Sequence, residues 1–299
     1  MSSDVIVAKG LTKFYGTQRG VVDLDFSVLQ GEVFGFLGPN GAGNTTTIRV
    51  LMDFMKPTEG QAEVFGLDSH ANAIEIKRLV GYLPGEMHLY ENLTGIEHLR
   101  FLAKFRDSVD WKFVDKLASR LQVDLNKKIK KMSHGNKQKV GLIQAFMHKP
   151  KLIILDEPTT GLDPLIQHEF YHLIADTRNQ GSTFFVSSHN LPEVEKICDR
   201  VGIIREGQLV VVEKIEVLRE KALRPLEVHF SQPPSLADFS GVAGIKDVRV
   251  EGNILRCTVV GTLDSFIKKL AKFEVINILS QEPNLEEVFL NFYEGKEKS

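Results

Sequence analysis

A glycine-rich stretch near the amino terminus, GPNGAGNTT at positions 38–46, has the residue types and spacing of a loop that binds phosphate. It follows the apolar run EVFGFL and opens a segment with helical spacing, TTIRVLMDFM. Glycines let consecutive backbone N–H groups turn toward phosphate oxygens, and the start of the helix adds its positive end. The hydroxyl of Thr45 can ligate Mg²⁺. The predicted nucleotide contacts of the loop are Gly38, Pro39, Asn40, Gly41, Ala42, Gly43, Asn44, Thr45 and Thr46.

Asn44 stands where the phosphate-loop pattern G-x-x-x-x-G-K-[ST] requires a lysine, and the loop contains no cationic residue. Its amide offers only neutral N–H donors, on a stem too short to reach the position of an ammonium group. Losing a charge-assisted hydrogen bond costs about 1.5–3 kcal/mol, and losing one electrostatic donor slows an active site by roughly 10²–10³-fold. We therefore expect weakened nucleotide binding and strongly reduced hydrolysis. Taken alone, the stretch is equally compatible with a glycine-rich turn that binds nothing.

Acidic residues and a histidine follow two apolar runs farther along the chain. Asp156 and Glu157 come after LIIL, and His189 comes after FFVSS. A carboxylate at the end of a buried strand can hold the water shell of Mg²⁺, and its neighbour can act as general base toward an attacking water. Upstream, Ser133 and Gly135 open an amphipathic helix, whose N-terminus is also suited to phosphate. Together these residues predict hydrolysis of the bound nucleotide.

Short apolar runs indicate the strands that must position these groups. VGYLP, KLIILDEP and STFFVSSH are continuous runs of the kind found in parallel strands buried on both faces, and helical segments lie between them. Ahead of the loop, apolar residues occupy every second position from Val22 to Val28, which predicts a half-buried antiparallel strand. A capping box, Thr94 with Glu97, predicts a helix start. Helical patterns without a strand continue to about His148.

Prolines at positions 225, 233 and 234 interrupt the chain after these segments. Beyond them, LEVHF, ILRCTVV and EVINIL resemble strands, and LDSFIKKLAKF and NLEEVFLNFY resemble helices. The expected fold class is therefore α/β throughout. We predict a nucleotide-binding domain at residues 1–223, with a helical insertion at about 90–150, and a small α/β domain at 224–299.

The composition is that of an ordinary globular protein. Of the 299 residues, 42% are hydrophobic and 25% charged, and the formal net charge is −2. This near-neutral charge does not favour a nucleic-acid partner, and the sequence has no basic stretch with interleaved aromatic residues. No apolar run reaches the roughly 18 residues of a membrane span, and the amino terminus lacks the pattern of a signal peptide. Two cysteines make no disulfide framework, so we expect a reducing, cytosolic compartment.

In their order over about residues 4–222, these motifs resemble those of the nucleotide-binding subunits of ABC (ATP-binding cassette) transporters. The resemblance implies a P-loop NTPase core with a mostly parallel sheet, an antiparallel β subdomain and the helical insertion. It also implies that Tyr15, in LTKFYG, stacks on adenine and that residues 38–45 form the Walker A loop. The stretch MSHGNKQ matches the family signature, which contacts the γ-phosphate of the opposite subunit through Ser133 and Gly135.

The remaining matches imply catalytic roles. Asp156 matches the Walker B aspartate, which holds Mg²⁺ together with Thr45, and Glu157 matches the catalytic base. Asp163, in GLD, matches the D-loop that links the two sites of a dimer. His189 matches the switch histidine that senses the γ-phosphate.

The resemblance further implies cofactors, partners and location. The cofactors are ATP and Mg²⁺, and the partners are a second copy of the chain and transmembrane permease subunits, on which the helical insertion docks. The chain is then a peripheral subunit at the cytoplasmic face of the cell membrane. The small C-terminal domain, which includes NLEEVFLNFY, resembles those of prokaryotic subunits that serve drug, antibiotic or sodium exporters.

Three features depart from the family pattern. Asn44 replaces the Walker A lysine, Gly85 stands at the usual magnesium-contacting glutamine with Glu86 beside it, and the signature carries His134 and Asn136. The first departure supports a rival interpretation, a non-catalytic module that binds ATP and dimerises without turnover. A soluble ABC protein of translation or DNA repair is a third possibility, although such proteins usually carry two cassettes or a long coiled coil, and this chain has neither.

Overall fold

The computed structural model describes residues 4–221, 223–280 and 288–289. The helix expected at NLEEVFLNFY therefore lies outside the described residues, except for positions 288–289. The described chain separates into two compact units, Met1–Val212 and Glu213–Ser299. This division precedes the expected boundary at residue 223, because the helix Ile215–Lys221 groups with the second unit.

The first unit alternates strands and helices after an antiparallel start. Its elements, in chain order, are β1 (Asp4–Tyr15), β2 (Gln18–Leu29), β3 (Val33–Leu37), α1 (Asn44–Leu51), β4 (Glu59–Val64), β5 (Leu67–Asp68), α2 (Ala73–Leu79), β6 (Val80–Leu83), α3 (Gly95–Ala103), α4 (Trp111–Arg120), α5 (His134–Phe146), β7 (Leu152–Asp156), α6 (Pro164–Asn179), β8 (Thr183–Ser188), α7 (Leu191–Ile197), β9 (Arg200–Arg205) and β10 (Gln208–Lys214).

The antiparallel sheet has the strand order β2-β1-β4-β5, which confirms the antiparallel strand predicted ahead of the loop. One detail of the predicted alternation is wrong. Val22 is only half-buried, and Val21 takes the buried position beside Leu24. The cause is a register shift in the β1–β2 ladder, where Asp23 adopts a left-handed backbone with φ 52°. An irregularity of this kind moves the side chains on one side of it to the other face of the strand.

The second sheet has the order β10-β9-β3-β8-β7-β6, and its strands β9, β3, β8, β7 and β6 run parallel. Every residue of β3, β7 and β8 is buried, as predicted from the continuous apolar runs. Leu37 pairs with Ser188, and Asp156 pairs with Ser187. The carboxyl ends of three adjacent strands therefore meet at one edge, which is where ligands bind in sheets of this kind.

The helical segment begins as the sequence predicts. The Thr94 side chain accepts a hydrogen bond from the backbone N–H of Glu97, and the Glu97 carboxylate accepts one from the N–H of Thr94 at 2.8 Å. Helix α5 then returns the chain to the sheet edge. A Cβ added at Gly81 in β6 would lie 2.0 Å from the carbonyl oxygen of Ala145 in α5, so only glycine permits this close packing. No helix of the described residues has both the length and the apolarity to cross a membrane.

The second unit forms its own sheet, in the order β12-β13-β11-β14, over a separate apolar core. Its elements are α8 (Ile215–Lys221), β11 (Leu223–Phe230), α9 (Leu236–Phe239), β12 (Ile245–Glu251), β13 (Ile254–Val260), α10 (Asp264–Leu270) and β14 (Val275–Ser280). Pro225 lies inside β11, contrary to the expected interruption. Its pairing with Thr258 of β13 is retained within the ladder that joins β11 to β13.

Candidate nucleotide-binding site

The loop 38–46 connects β3 to α1, and packing requires glycine at two of its positions. A Cβ at Gly38 would lie 2.6 Å from the carbonyl oxygen of Ile204, and one at Gly43 would lie 2.5 Å from Val21. Gly43 also has φ 119° and Gly41 has φ 81°. These left-handed residues turn the backbone so that successive N–H groups can face one concavity, which is the geometry of an anion-binding nest. The backbone of the loop is therefore compatible with the predicted binding of phosphate.

The Asn44 side chain is used within the loop. Its Nδ2 donates to the carbonyl oxygen of Gly38 at 3.2 Å, which closes the loop on itself. Its Oδ1 is buried and accepts no hydrogen bond from the described residues. This amide therefore contributes no charge to the cleft, and one of its polar atoms has lost water without gaining a partner.

Thr45 and Asp156 meet where α1 begins and β7 ends. The Thr45 hydroxyl donates to Asp156 Oδ2 at 2.9 Å, and the Ser187 hydroxyl donates to the other carboxylate oxygen. Asp156 is 1% exposed, and burial, reinforced by the Asp156 charge, raises the pKa of Tyr82 to about 12. A hydroxyl and a carboxylate that converge in this way are hard oxygen donors, and they suit Mg²⁺.

Gly85 has no side chain, so only its backbone lies against Asp156. A Cβ there would lie 3.1 Å from Asp156 Oδ2. The amide that the family pattern places at this position is therefore absent from the immediate surroundings of Asp156. Glu86 lines the neighbouring cleft, of about 570 Å³, together with Glu157 and His189.

Glu157 and His189 are in side-chain contact beside Asp156. The Nδ1 of His189 lies 2.9 Å from Glu157 Oε2, and the side chains are 52% and 24% exposed, respectively. Glu157 has a left-handed backbone with φ 51°, and its N–H donates to the carbonyl oxygen of Ser187 at 3.1 Å. This turn directs the carboxylate away from the strand and toward the cleft. The structure thus brings the predicted base and the predicted switch histidine together.

Tyr15 lies at the other end of the site. Its ring is 41% exposed, and its hydroxyl is 3.1 Å from Thr46 Oγ1. The ring, the loop, Asp156 at the end of β7 and Glu157 after it line one cleft of about 370 Å³. An exposed aromatic face next to a phosphate loop suits stacking on a base.

Ser133 and Gly135 contact a different part of the chain. Ser133 caps α5 and accepts a hydrogen bond from the N–H of Asn136 at 3.4 Å. A Cβ at Gly135 would lie 2.5 Å from the carbonyl oxygen of Gly161. Asp163 caps α6, because its side chain accepts from the N–H of Ile166 at 3.1 Å. Ser133, Gly135 and Asp163 are not among the described residues that line the two clefts.

Three buried polar residues support the site without having been predicted. Ser187 binds Asp156, and Gln138 donates to the backbone carbonyl of Pro158 at 3.1 Å. Glu193, 2% exposed, accepts from the Ser188 hydroxyl at 2.7 Å. Burial raises the pKa of Glu193 to about 7. Gln138 and Ser187 stand within or beside the motifs, but no sequence pattern indicates that a residue on α7 faces the His189 loop.

Comparisons with known proteins point in one direction. A family model described as ABC transporter matches residues 21–160. The bacitracin transport ATP-binding protein BcrA of Bacillus licheniformis is 36% identical over 301 residues, or 98% of both chains. The linearmycin resistance ATP-binding protein LnrL of Bacillus subtilis is 32% identical over 303 residues, which cover 96% of this chain and 97% of LnrL.

Solved structures agree with the sequence relatives. A chain described as the ATP binding subunit of an ABC transporter aligns with a TM-score of 0.66 at 30% identity, covering 72% of this chain and 92% of its own length. The ATP-binding cassette MJ0796, described as dimeric and bound to ADP and phosphate, aligns with a TM-score of 0.65 at 20% identity, covering 70% of this chain and 98% of its own. At that identity the second match shows the fold alone, and the predicted fold class is confirmed.

Proposed function

The chain belongs to the ABC transporter family as an ATP-binding subunit, and on this premise we propose that it binds MgATP at the loop 38–46 and powers export of a drug or antibiotic. The observation that carries the proposal is the convergence of Thr45 and Asp156, 2.9 Å apart, beside a loop with a phosphate-binding backbone. The class of cargo is suggested by the names of the bacitracin and linearmycin relatives, which match this chain over nearly its whole length.

The side chains divide the work of hydrolysis. Thr45 and Asp156 hold Mg²⁺, which neutralises charge on the β- and γ-phosphates when bound. Glu157 accepts a proton from the attacking water and orients it, and His189 fixes the Glu157 carboxylate through the 2.9 Å contact. Tyr15 stacks on the adenine. Loop N–H groups donate to the phosphates.

A second copy of the chain completes the site. Ser133 and Gly135 open a helix whose N-terminus suits a γ-phosphate, yet neither is among the described residues that line the clefts. In a dimer, each signature helix can face the loop of the other copy. Asp163 follows Gly161, whose carbonyl oxygen packs on Gly135, by two positions, and this proximity supports a role for Asp163 in transmitting closure between the two sites.

Membrane permeases are the remaining partners, with the chain peripheral at the cytoplasmic face of the membrane. Support comes from the absence of a membrane-spanning helix among the described residues and from the transport role in the relatives' names. The helical segment from α3 to α5 is the proposed docking surface. Co-purification of integral membrane proteins with the full chain tests this part of the proposal.

Asn44 divides the proposal into two versions. The enzyme version retains slow hydrolysis, because Thr45, Asp156, Glu157 and His189 are all in place. In the rival version the chain binds ATP and dimerises without turnover, because no ammonium stabilises the transferring phosphate. Single-turnover mixing of excess chain with MgATP separates them. Phosphate release supports the enzyme, and tight binding without release supports the module.

The binding step itself has a matched pair of variants. Thr45→Ser keeps the hydroxyl, and Thr45→Ala removes it. We expect Mg²⁺-dependent ATP affinity, measured by calorimetry, to persist in Thr45→Ser and to fall in Thr45→Ala by about tenfold, the effect of one lost ligand contact. Equal affinity of the two variants would contradict the assignment of Thr45 to magnesium.

A further inference from the structure

The cleft above the loop 38–46 has one cationic side chain among the described residues that line it. That side chain is Arg19, whereas Asp156 and Glu157 contribute carboxylates. A nucleoside triphosphate is strongly anionic, and phosphate sites normally place an arginine or a lysine against it. Because Asn44 carries no charge, Arg19 is the described side chain of this cleft that can donate a charge-assisted hydrogen bond, and Arg49 lines the neighbouring cleft.

Arg19 is held at the rim of the cleft by a tightly packed hairpin. It is the second residue of β2, directly after the turn that follows Tyr15. The next residue, Gly20, packs so closely that an added Cβ would lie 2.8 Å from the Tyr15 ring and 3.3 Å from Thr46 Cγ2. The hairpin backbone is therefore packed against both the aromatic ring and the start of α1, which sets the point from which the Arg19 side chain extends beside the cleft.

The guanidinium of Arg19 has a weak partner. Its Nη2 lies 3.5 Å from Glu206 Oε2, and the two side chains are 43% and 68% exposed. An exposed ion pair at this distance contributes little, so replacing the carboxylate by a phosphate costs little. Glu206 itself is beside the loop, because the next residue, Gly207, donates its N–H to the carbonyl oxygen of Ala42 at 2.8 Å.

We propose that Arg19 binds the phosphates of the nucleotide, and that the phosphates displace the Glu206 carboxylate from the guanidinium. The inference rests on the proposed function, in which this cleft binds MgATP. The planar guanidinium can donate two parallel hydrogen bonds to one phosphate. Arg19 thereby supplies, from the hairpin, the positive charge that position 44 lacks.

The same hairpin offers a matched control. Lys13 is also cationic and lies two residues before Tyr15, but its ammonium donates to the carbonyl oxygen of Lys56 at 2.7 Å. It is not among the described residues that line the cleft. Neutralising Lys13 changes the net charge of the hairpin by the same amount as neutralising Arg19, without removing the proposed contact.

The test is calorimetric titration of the full chain with MgATP and, separately, with adenosine, which has no phosphate. We expect Arg19→Gln to weaken MgATP binding by about tenfold or more and to leave adenosine binding unchanged. The slope of log Kd against log salt should also become shallower. The ammonium of Lys13 lies 5.9 Å from the centroid of the Tyr15 ring, so Lys13→Gln can change adenosine binding, but it should leave the ratio of MgATP affinity to adenosine affinity as in the parent chain. Glu206→Gln should tighten MgATP binding by up to about fivefold, because it removes the competing carboxylate.

The outcomes separate this inference from the proposed function. If neither the chain nor its Asn44→Lys variant binds MgATP, both are overturned. Two results would overturn the role of Arg19 and leave the proposed function intact. In the first, the parent chain and Arg19→Gln bind MgATP with equal affinity. In the second, Arg19→Gln loses affinity for adenosine by the same factor as for MgATP. In the Asn44→Lys background the effect of Arg19→Gln should shrink, and an undiminished effect would refute compensation. If thermal melting shows that Arg19→Gln does not fold, the MgATP affinities of Arg19→Lys and Glu206→Gln are compared with that of the parent chain. Tighter binding by Glu206→Gln supports the role of Arg19, and equal binding by both variants and the parent chain overturns it.

Discussion

Restoring the lysine, by Asn44→Lys, is the perturbation with the largest expected effect on this site. The substitution removes the 3.2 Å hydrogen bond from Asn44 Nδ2 to the Gly38 carbonyl, and it also removes the buried Oδ1 that has no partner among the described residues. The first loss costs about 0.5–1.5 kcal/mol and the second change recovers about 1–3 kcal/mol, so the free energy of unfolding should not fall.

The gain with ligand is larger. A lysine at position 44 adds a charge-assisted bond worth about 1.5–3 kcal/mol, or about 10–100-fold in MgATP affinity. In the transition state an added electrostatic donor is worth roughly 10²–10³-fold in rate. Calorimetry measures the affinity, and single-turnover phosphate release measures the rate.

Asn44→Gln is the control for side-chain length. It extends a neutral amide farther into the cleft than asparagine does, and it adds no charge. If Asn44→Gln raises affinity and rate as much as Asn44→Lys does, the reasoning from charge is refuted. The same conclusion follows if the parent chain and Asn44→Lys hydrolyse ATP at equal rates.

Two further predictions concern groups around the site. Burial raises the pKa of Glu193 from 4.5 to about 7, so as the pH rises the carboxyl ionises in the unfolded chain before it ionises in the folded chain. The free energy of unfolding therefore falls by about 3 kcal/mol between pH 4.5 and about 7. Glu193→Gln should therefore raise the melting temperature at pH 8 more than at pH 5, and an equal change at both values would contradict the buried, neutral carboxyl. Gly135→Ala places a Cβ 2.5 Å from the Gly161 carbonyl oxygen, and it should lower the free energy of unfolding by about 1–3 kcal/mol in a urea titration. An unchanged unfolding midpoint would show that this contact can relax.

Features with a local physical cause could be predicted from the sequence. The strands β7 and β8 are buried on both faces, so their residues form continuous apolar runs that are visible without the structure. The capping box likewise depends on two residues three positions apart, Thr94 and Glu97, so it is visible in the sequence. The family resemblance predicted that Asp156 and Thr45 hold one Mg²⁺, and the structure places these two side chains 2.9 Å apart.

Features that depend on distant partners could not be predicted. The register shift at Asp23 moves Val21 into the core, and nothing in the local alternation indicates it. Pro225 lies in a strand and pairs with Thr258 of β13, a partner far along the chain. The strand β12 was not predicted at all. Arg19 was overlooked because its proximity to the loop arises from the packing of Gly20, not from any motif spacing.

The shape of the phosphate loop and its charge are separable properties of this chain. Contacts of Gly38 with Ile204 and of Gly43 with Val21 set the backbone, and none of them involves the side chain at position 44. The Thr45–Asp156 contact likewise joins α1 to β7 independently of that side chain. Asparagine therefore alters the electrostatics of a loop whose backbone is packed against its neighbours, and it adds one internal hydrogen bond, from Nδ2 to the Gly38 carbonyl. Asn44→Lys changes both the charge and this bond, whereas Asn44→Gln changes the side chain without adding charge. The difference between the two variants can therefore be read as the contribution of one cation.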